Sequence, residues 1–266
     1  MTLIDRTRAV IDKRQVLRTL VVRDLRVRYA GSILGYVWTV LDPLLMSSIY
    51  FVVFVFIFKS GKVGQQPYFL FLVIGLLSWQ WFSGSLTDTS RAMLTDAKLI
   101  RSTNLPREIW VVRVVIAKGV EYVLSLPVLA AFTLFYALQG KVHFNLGLLL
   151  FPVGLVMEFV LLIGLGLLLA PITALVTDMA RVIKIVLRML FYLTPVLYAG
   201  NRIPAPYNKA VWLNPMTGVL EMLRAGFFDQ PVVRGPVLFG AVVTLTLLFV
   251  GAFTFSRLER SVLKEI

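Results

Sequence analysis

The stretch "RVRYAGSILGYVWTVLDPLL" (residues 26–45) joins a basic segment to the first long apolar run of the chain. Gly31, Ser32 and Gly35 separate the two parts, and glycine readily adopts the backbone conformations that a sharp turn requires. Aromatic residues follow, and Trp and Tyr are enriched where helices meet the membrane surface. The stretch therefore predicts a turn from a helix lying along a membrane to a helix that crosses it.

The composition of the 266 residues is that of a membrane protein. Hydrophobic residues make up 58% and charged residues 15%, whereas about a quarter of the residues in a soluble domain are charged. A net charge of +13 would suggest nucleic acid in a soluble protein, but here the position of the charges relative to the apolar runs is more informative. There is no Cys, which excludes disulfides and cysteine nucleophiles, and the lone His143 is interpreted as a loop residue.

Six apolar runs satisfy the requirement of about 20 residues for a membrane-spanning helix. They are residues 33–58, 68–90, 110–138, 146–174, 179–200 and 236–256. The fifth is the weakest, because Lys184 and Arg188 interrupt it. The segment 203–231 is broken by Pro204, Pro206, Pro215 and Gly218, so it predicts a re-entrant helical hairpin rather than a seventh span.

These patterns predict one all-α integral membrane domain over residues 1–266. It would comprise an interfacial helix over 1–32, a six-span bundle over 33–258 that contains the re-entrant segment 203–231, and a tail over 259–266.

The distribution of basic residues predicts the orientation. The N-terminal segment, residues 91–118, residues 181–188 and residues 257–266 hold twenty of the 27 Lys and Arg residues. Cytoplasmic connections carry the excess of basic residues. We therefore expect both termini in the cytoplasm and the re-entrant segment on the outward side, where protein or water must satisfy its backbone.

Residues 1–28 are expected to form a basic amphipathic helix in the headgroup region. Apolar residues recur at helical spacing while arginines and a lysine occupy other faces. The apolar positions are Leu3, Val10, Leu17, Val21 and Leu25. A merely solvated basic arm is the alternative.

Several ionisable residues lie inside predicted spans, where charges are costly and usually face a partner or a wet cavity; Glu121, Glu158 and Arg188 are the notable ones. Glu121 follows Lys118 by three residues, so the two can pair on one helix face. Glu158 lies near the centre of the fourth span, with Arg188 as a candidate partner. These charges would hold the bundle together, line a translocation path or relay protons.

Catalytic motifs are missing. The stretch "KSGKVGQQP" lacks the spacing of a phosphate-binding loop, and neither an H-E-x-x-H pair nor a G-x-S-x-G elbow is present. The sequence therefore predicts a protein that is not an enzyme and does not hydrolyse ATP itself.

Five motifs occur in the order found in one family. The opening stretch, "TNLPREIWVVRVV" (103–115), "TDMARVIKIVLRMLFYLTPVLY" (177–198), "LNPMTGVLEMLRAGFF" (213–228) and a short basic tail resemble type 2 ATP-binding-cassette permeases that export polysaccharides, a family with O-antigen, teichoic-acid and mycobacterial galactan exporters. The resemblance covers nearly the whole chain. It implies export of a lipid-linked polysaccharide across the bacterial cytoplasmic membrane.

By this resemblance, two copies of the permease work with two copies of an ATPase subunit that binds ATP and Mg, and the chain itself needs no cofactor. The segment Leu94–Glu108 would dock the ATPase; an ordinary basic cytoplasmic loop is the alternative. The docking residues would be Lys98, Leu99, Ile100, Arg101, Ser102 and Thr103.

The resemblance also implies a route for the glycan, although the same aromatic residues could serve only as interface anchors. The glycan would enter at Arg26, Arg28 and Tyr29. Its path would be lined by Tyr36, Trp38, Trp79, Trp81, Phe82, Tyr192 and Tyr198. The outward gate would be formed by Asn214, Pro215, Met216 and Gly218.

Other functions are less well supported by the sequence. A secondary transporter would usually show paired broken spans, and an ion channel would need a filter segment. A membrane enzyme acting on lipid-linked sugars would show clustered charged residues near a membrane face, and this sequence lacks such clusters. A type 2 permease for drugs or lipids shares the fold and is the closer alternative. Asp42 replaces an apolar or aromatic residue common in the family, and the family does not explain it.

Overall fold

The computed structural model describes residues 3–59, 63–200, 203, 207–228 and 231–265, and all their regular secondary structure is helical. The predicted all-α fold is thereby confirmed. The α-helices are α1 (Leu3–Asp12), α2 (Arg14–Tyr29), α3 (Trp38–Phe51), α4 (Tyr68–Thr95), α5 (Ala97–Ser102), α6 (Ile109–Leu138), α7 (Leu150–Leu175), α8 (Met179–Leu193), α9 (Pro215–Arg224) and α10 (Arg234–Glu265). Short 3₁₀ helices cover Gly35–Val37, Leu146–Leu149 and Tyr207–Leu213, and a π-helix, Val52–Ile57, continues α3.

Five of the described helical segments are long and apolar enough to cross a membrane. They are Gly35–Ile57, Tyr68–Thr95, Ile109–Leu138, Leu146–Leu175 and Arg234–Glu265, and they coincide with all the predicted spans except the fifth. In that position lies α8, whose 15 residues extend about 22 Å at 1.5 Å per residue. This helix is shorter than the usual span, so the sixth crossing stays a prediction.

The re-entrant segment is described only in part, and Pro204 and Pro206 lie outside the described residues. Its main element is α9, a regular helix that Asn214 begins by accepting a hydrogen bond from the Met216 N–H at 3.0 Å. Pro215 occupies the first turn, where its missing N–H is tolerated.

We expected Gly218 to be one of the residues that break segment 203–231, and that expectation is wrong. Gly218 lies inside α9 in contact with α10. A Cβ at this position would meet the Pro236 carbonyl oxygen and would lie 3.1 Å from the Val237 Cα. The glycine therefore permits close packing of two helices rather than a bend.

The N-terminal segment forms two helices instead of the single predicted one, since the chain breaks at Lys13 between α1 and α2. Leu17, Val21 and Leu25 recur every four residues on one face of α2 and pack against α6. Their neighbours there are Ile116, Ala117 and Val120. The amphipathic pattern is confirmed, and a solvated arm without packing is excluded.

The predicted turn after α2 is also confirmed. Gly31 and Gly35 have φ angles of 78° and 48°, values that favour glycine. The Gly35 N–H donates a hydrogen bond to the Ser32 hydroxyl at 3.1 Å. These residues redirect the chain from α2 into α3.

Ion pairs collect several helix termini at one end of the bundle, which we name the charged end. Arg113, at the start of α6, pairs with Asp24 of α2 at 3.0 Å and also with Asp96, which directly precedes α5. Arg6 of α1 pairs with Glu259 of α10 at 3.2 Å. The N-terminal helices, the connection before α6 and the end of α10 therefore lie on the same side of the molecule.

Candidate functional site

A groove runs between α3, α4 and α8 and has a volume of about 510 Å³. It is lined by Asp42, Pro43, Met46, Tyr50, Leu76, Trp79, Gln80, Ser83, Thr87, Lys184, Leu187, Arg188, Phe191 and Tyr192. On each helix these residues are adjacent or three to four positions apart, so each helix presents one continuous face. The groove combines two cations, one carboxylate and four aromatic rings.

A smaller cavity of about 230 Å³ adjoins the groove. Its walls come from the end of α2 and from α3, α4 and α6, and include Arg28, Tyr29, Trp38, Trp81 and Glu121. Asp42 and Gln80 line both spaces. The residue that the family pattern did not explain thus lies where the cavity adjoins the groove, as expected of an ionisable side chain within a span.

The predicted path residues fall into three groups. Trp79 and Tyr192 line the groove, and Trp38 and Trp81 line the cavity. Tyr36 lines neither space; its ring contacts that of Tyr29 at a tilt of 48°, with the ring centroids 4.5 Å apart.

The remaining two predicted path residues line neither space. Phe82 is buried in the core against Trp79, at 5.3 Å between ring centroids. The Tyr198 hydroxyl donates to the carbonyl oxygen of Leu193 at 3.1 Å. Tyr50 and Phe191 also line the groove and were missed. Helical spacing from Asp42 on α3 and from Arg188 on α8 is the signal that could have indicated them.

Arg28 belongs to a charged network at the mouth of the cavity. Its guanidinium pairs with Asp88 at 2.7 Å and with Glu121 at 3.2 Å, and Lys118 pairs with Glu121 at 3.2 Å. The predicted Lys118–Glu121 pair is confirmed. Burial would lower the pKa of Arg28, but the carboxylates of Glu121 and Asp88 outweigh burial and raise it above the ordinary value.

Tyr29 and Arg26 differ in their surroundings. Burial, together with the neighbouring Glu121, raises the pKa of the Tyr29 hydroxyl above its ordinary range. Tyr29 therefore remains a neutral hydrogen-bond donor. Arg26 is exposed on α2, and among the described residues it forms no ion pair. Of the three residues predicted to receive a substrate, only Arg26 has a side chain free to bind an anion without breaking an ion pair.

Glu158 and Arg188 do not pair, so that prediction is wrong. Glu158 is fully buried on the face of α7 that packs against α4, and it accepts a hydrogen bond from Ser78 at 2.9 Å. Arg188 instead lines the groove. The geometry supports a packing role for Glu158, because the carboxyl group joins two core helices.

The predicted docking segment contains α5 at the charged end. Lys98, Leu99, Arg101 and Ser102 are exposed and Thr103 is half-buried, but Ile100 is only 1% exposed. It packs in a cluster with Met93 and Trp110. Ile100 therefore anchors α5 to the bundle and cannot be a direct contact, whereas its neighbours present a basic surface.

Comparison with known proteins gives one family match. The family model described as ABC-2 type transporter matches residues 15–228, which is more than half of the chain. The match includes α2 through α9 and therefore the groove, the cavity and α5.

Several curated proteins are similar along nearly their whole length. The chain is 28% identical over 242 residues to the O-antigen export system permease protein RfbA of Klebsiella pneumoniae, covering 89% of each protein. It is 29% identical over 256 residues to the protein of that name from Myxococcus xanthus, covering 95% of this chain and 96% of the relative. It is 22% identical over 249 residues to the polysialic acid transport protein KpsM of Escherichia coli, covering 93% and 95%.

Proposed function

The chain belongs to the ABC-2 type transporter family, and on this premise we propose that it is the membrane permease subunit of an ATP-driven exporter of a lipid-linked polysaccharide. The observation that carries the proposal is the full-length similarity to permeases named for O-antigen export and polysialic acid transport. The similar regions cover most of this chain and most of each relative.

The groove supports the proposal chemically. A polymer that slides needs contacts that hold it without fixing its register, and sugar rings can lie with their CH faces against aromatic rings. Trp79, Phe191 and Tyr192 supply such rings along the groove. Lys184 and Arg188 add donors for hydroxyl or acidic groups. This mixture suits a glycan better than the purely apolar surface that a hydrocarbon-like drug would favour.

A homodimer would complete the path. The groove is open between α3 and α8, which expose apolar side chains such as Ile49 and Met189, at 55% and 61%. A second copy facing this opening would close two grooves into one channel. Dimers related by a two-fold axis are the commonest homo-oligomers.

The basic surface of α5 is the proposed docking site for a separate ATPase, which would bind ATP and Mg. Asp96, at the start of α5, pairs with Arg113 and with Arg23 of α2. Movement of α5 would therefore be transmitted to α2, in which Arg26, three residues beyond Arg23, would receive the charged end of the substrate.

The proposed topology places the charged end in the cytoplasm and counts α8 as the sixth crossing. Ala174, at the end of α7, packs with Trp110 at the charged end, and α8 follows within a few residues. Val196 follows α8, and its carbonyl oxygen accepts a hydrogen bond from the Arg224 guanidinium at 2.9 Å. The same guanidinium donates to the Phe71 carbonyl oxygen at 3.2 Å. Phe71 lies at the other end of α4, which supports a crossing by α8 and an outward position for α9.

Depletion of the protein is expected to make lipid-linked polymer accumulate on the cytoplasmic side of the membrane, because synthesis continues without export. Complementation with Tyr192→Ala should restore export only in part, several-fold below wild type, since one ring of the path is lost. The measurement compares the amount of surface polymer, reached by a membrane-impermeant label, with the amount of internal polymer protected from that label in the same cells.

Phe249→Ala is the matched control. Phe249 is 60% exposed and Tyr192 62% exposed, but Phe249 lies on α10, away from the groove. It should restore export fully. Normal surface polymer in the depleted cells would refute the function, and equal export by both variants would refute the groove as the path.

Gly218→Leu tests the proposed outward gate. The added side chain would meet Pro236 and force α9 away from α10, at a typical cost of about 1–3 kcal/mol for overpacking. We expect export to fall while co-purification of the ATPase is unchanged, because α5 lies at the other end of the bundle. Gly200→Leu is the control, since its Cβ would meet no atom of the described residues within 4 Å. Unchanged export by Gly218→Leu would contradict a gate formed by α9.

A further inference from the structure

An apolar crevice of about 440 Å³ lies between the N-terminal helices and the bundle. Its walls come from α1, α2, α6, α7 and α10, and include Val10, Ile11, Val112, Ile163, Leu248 and Phe255. The groove is lined by α3, α4 and α8 only. The crevice therefore shares no helix with the groove.

The surroundings of the crevice point to an acyl chain as its occupant. The helices α6, α7 and α10 are candidate spans, so the part that they line lies at membrane depth. Water would find few hydrogen-bond partners among these side chains, and a water molecule needs about two to four. Because packing rather than burial drives association inside a membrane, an apolar crevice open to lipid is filled best by a chain that fits its shape.

The charges at the crevice specify the headgroup. Its ionisable lining residues are Arg6, Arg14 and Glu108. Arg6 is already engaged, because it pairs with Glu108 and with Glu259. Arg14 is exposed and forms no ion pair with another described side chain. Arg14 is therefore a cation that lines the apolar crevice without an ion-pair partner among the described side chains. The one carboxylate lining the crevice, that of Glu108, is already paired with Arg6.

We propose that the crevice holds an acyl chain of an anionic glycerophospholipid whose phosphate pairs with Arg14. The lipid would stay with the protein and join α1 and α2 to α6, α7 and α10. A cation of an interfacial helix attracts anionic lipid by itself, and the crevice adds a fixed position for the chain. A transported polyprenyl lipid would have to reach the groove, which the crevice does not share.

The test is lipid retention by the purified complex of this chain with its ATPase subunit. The complex is reconstituted in nanodiscs of phosphatidylglycerol and phosphatidylethanolamine, released into mild detergent and examined by native mass spectrometry. Wild type should retain one phosphatidylglycerol per copy. Arg14→Gln should reduce retention roughly fivefold, as expected for one cation near an anionic lipid. Ile163→Trp should abolish retention, because the indole fills the crevice.

Arg8→Gln is the matched control, since Arg8 is an exposed cation of α1 that does not line the crevice. It should retain the lipid like wild type. Equal loss in Arg8→Gln and Arg14→Gln would overturn the proposal, as would wild-type protein free of phosphatidylglycerol. Recovery of a polyprenyl lipid from cell membranes in its place would also overturn it. Because Arg14 is exposed, its variant keeps the test decisive even where Ile163→Trp fails to assemble.

Discussion

Replacing Arg113 by methionine is expected to lower the free energy of unfolding by about 3–5 kcal/mol, the usual effect of removing one partner from a buried ion pair. The Arg113 side chain is 4% exposed and pairs with Asp24 and Asp96, whose side chains are 18% and 9% exposed. Without the Arg113 guanidinium, Arg23 is the one cation among the described residues that still pairs with Asp24 and Asp96. The measurement is denaturant unfolding of the purified protein in detergent, followed by tryptophan fluorescence.

A combined variant separates lost packing from unpaired charge. Asp24→Asn and Asp96→Asn, added to Arg113→Met, remove the stranded carboxylates and should recover most of the stability, because a buried ion pair replaced as a whole is often neutral. Arg91→Met is the control, since Arg91 is exposed on the last turns of α4. It should stay within about 0.5 kcal/mol of wild type. An Arg113→Met protein as stable as that control would refute the structural role of the pair.

The spans were predictable because the signal is local and long. The run 146–174 is apolar along most of its length and has one ionisable residue, Glu158. Within the hydrocarbon of a membrane, a helix satisfies all the backbone hydrogen bonds of such a run internally. The helices nevertheless extend further than the hydropathy indicated. α10 continues to Glu265, since a helix can project beyond the hydrocarbon once its polar end finds partners such as the Arg6–Glu259 pair.

Side-chain partners were predictable only where they are close in sequence. Lys118 and Glu121 share a helix face by their spacing, and they pair as expected. The partner of Glu158 is Ser78, eighty residues away in the chain, and charge sign alone pointed wrongly to Arg188. A hydroxyl on another helix leaves no pattern that a single sequence reveals.

The groove illustrates the same limit. Trp79 and Tyr192 were identified as path residues, but Asp42 and Gln80 were not assigned to any path. Their position at the boundary of two cavities depends on how α3, α4 and α6 pack. Ile100 was assigned to docking because it lies within a basic segment, yet its apolar side chain turns inward. Composition predicts the surface of α5 but not which of its residues are buried.

Replacing Arg224 by methionine is the second change expected to be severe, with a loss of several kcal/mol in the free energy of unfolding. The Arg224 guanidinium donates to the carbonyl oxygens of Pro195 at 2.6 Å, Val196 at 2.9 Å and Phe71 at 3.2 Å, and it lies 3.5 Å from the centre of the Phe71 ring. Each buried carbonyl left unsatisfied costs about 1–3 kcal/mol. Denaturant unfolding followed by tryptophan fluorescence measures the change.

The identity of the arginine should matter more than its charge. Arg224→Lys keeps the charge but replaces a planar fork by a single ammonium, so it should recover only part of the loss. Gly75→Ala should act in the same direction, because its Cβ would meet the Arg224 guanidinium and lie 2.9 Å from the Val196 carbonyl oxygen. Gly84→Ala, on the same helix, would contact only the flexible Lys118 side chain at 3.3 Å and should be nearly neutral. Equal stability of the two glycine variants, or wild-type stability of Arg224→Lys, would show that the end of α8 is held beside α4 and α9 by something other than this guanidinium.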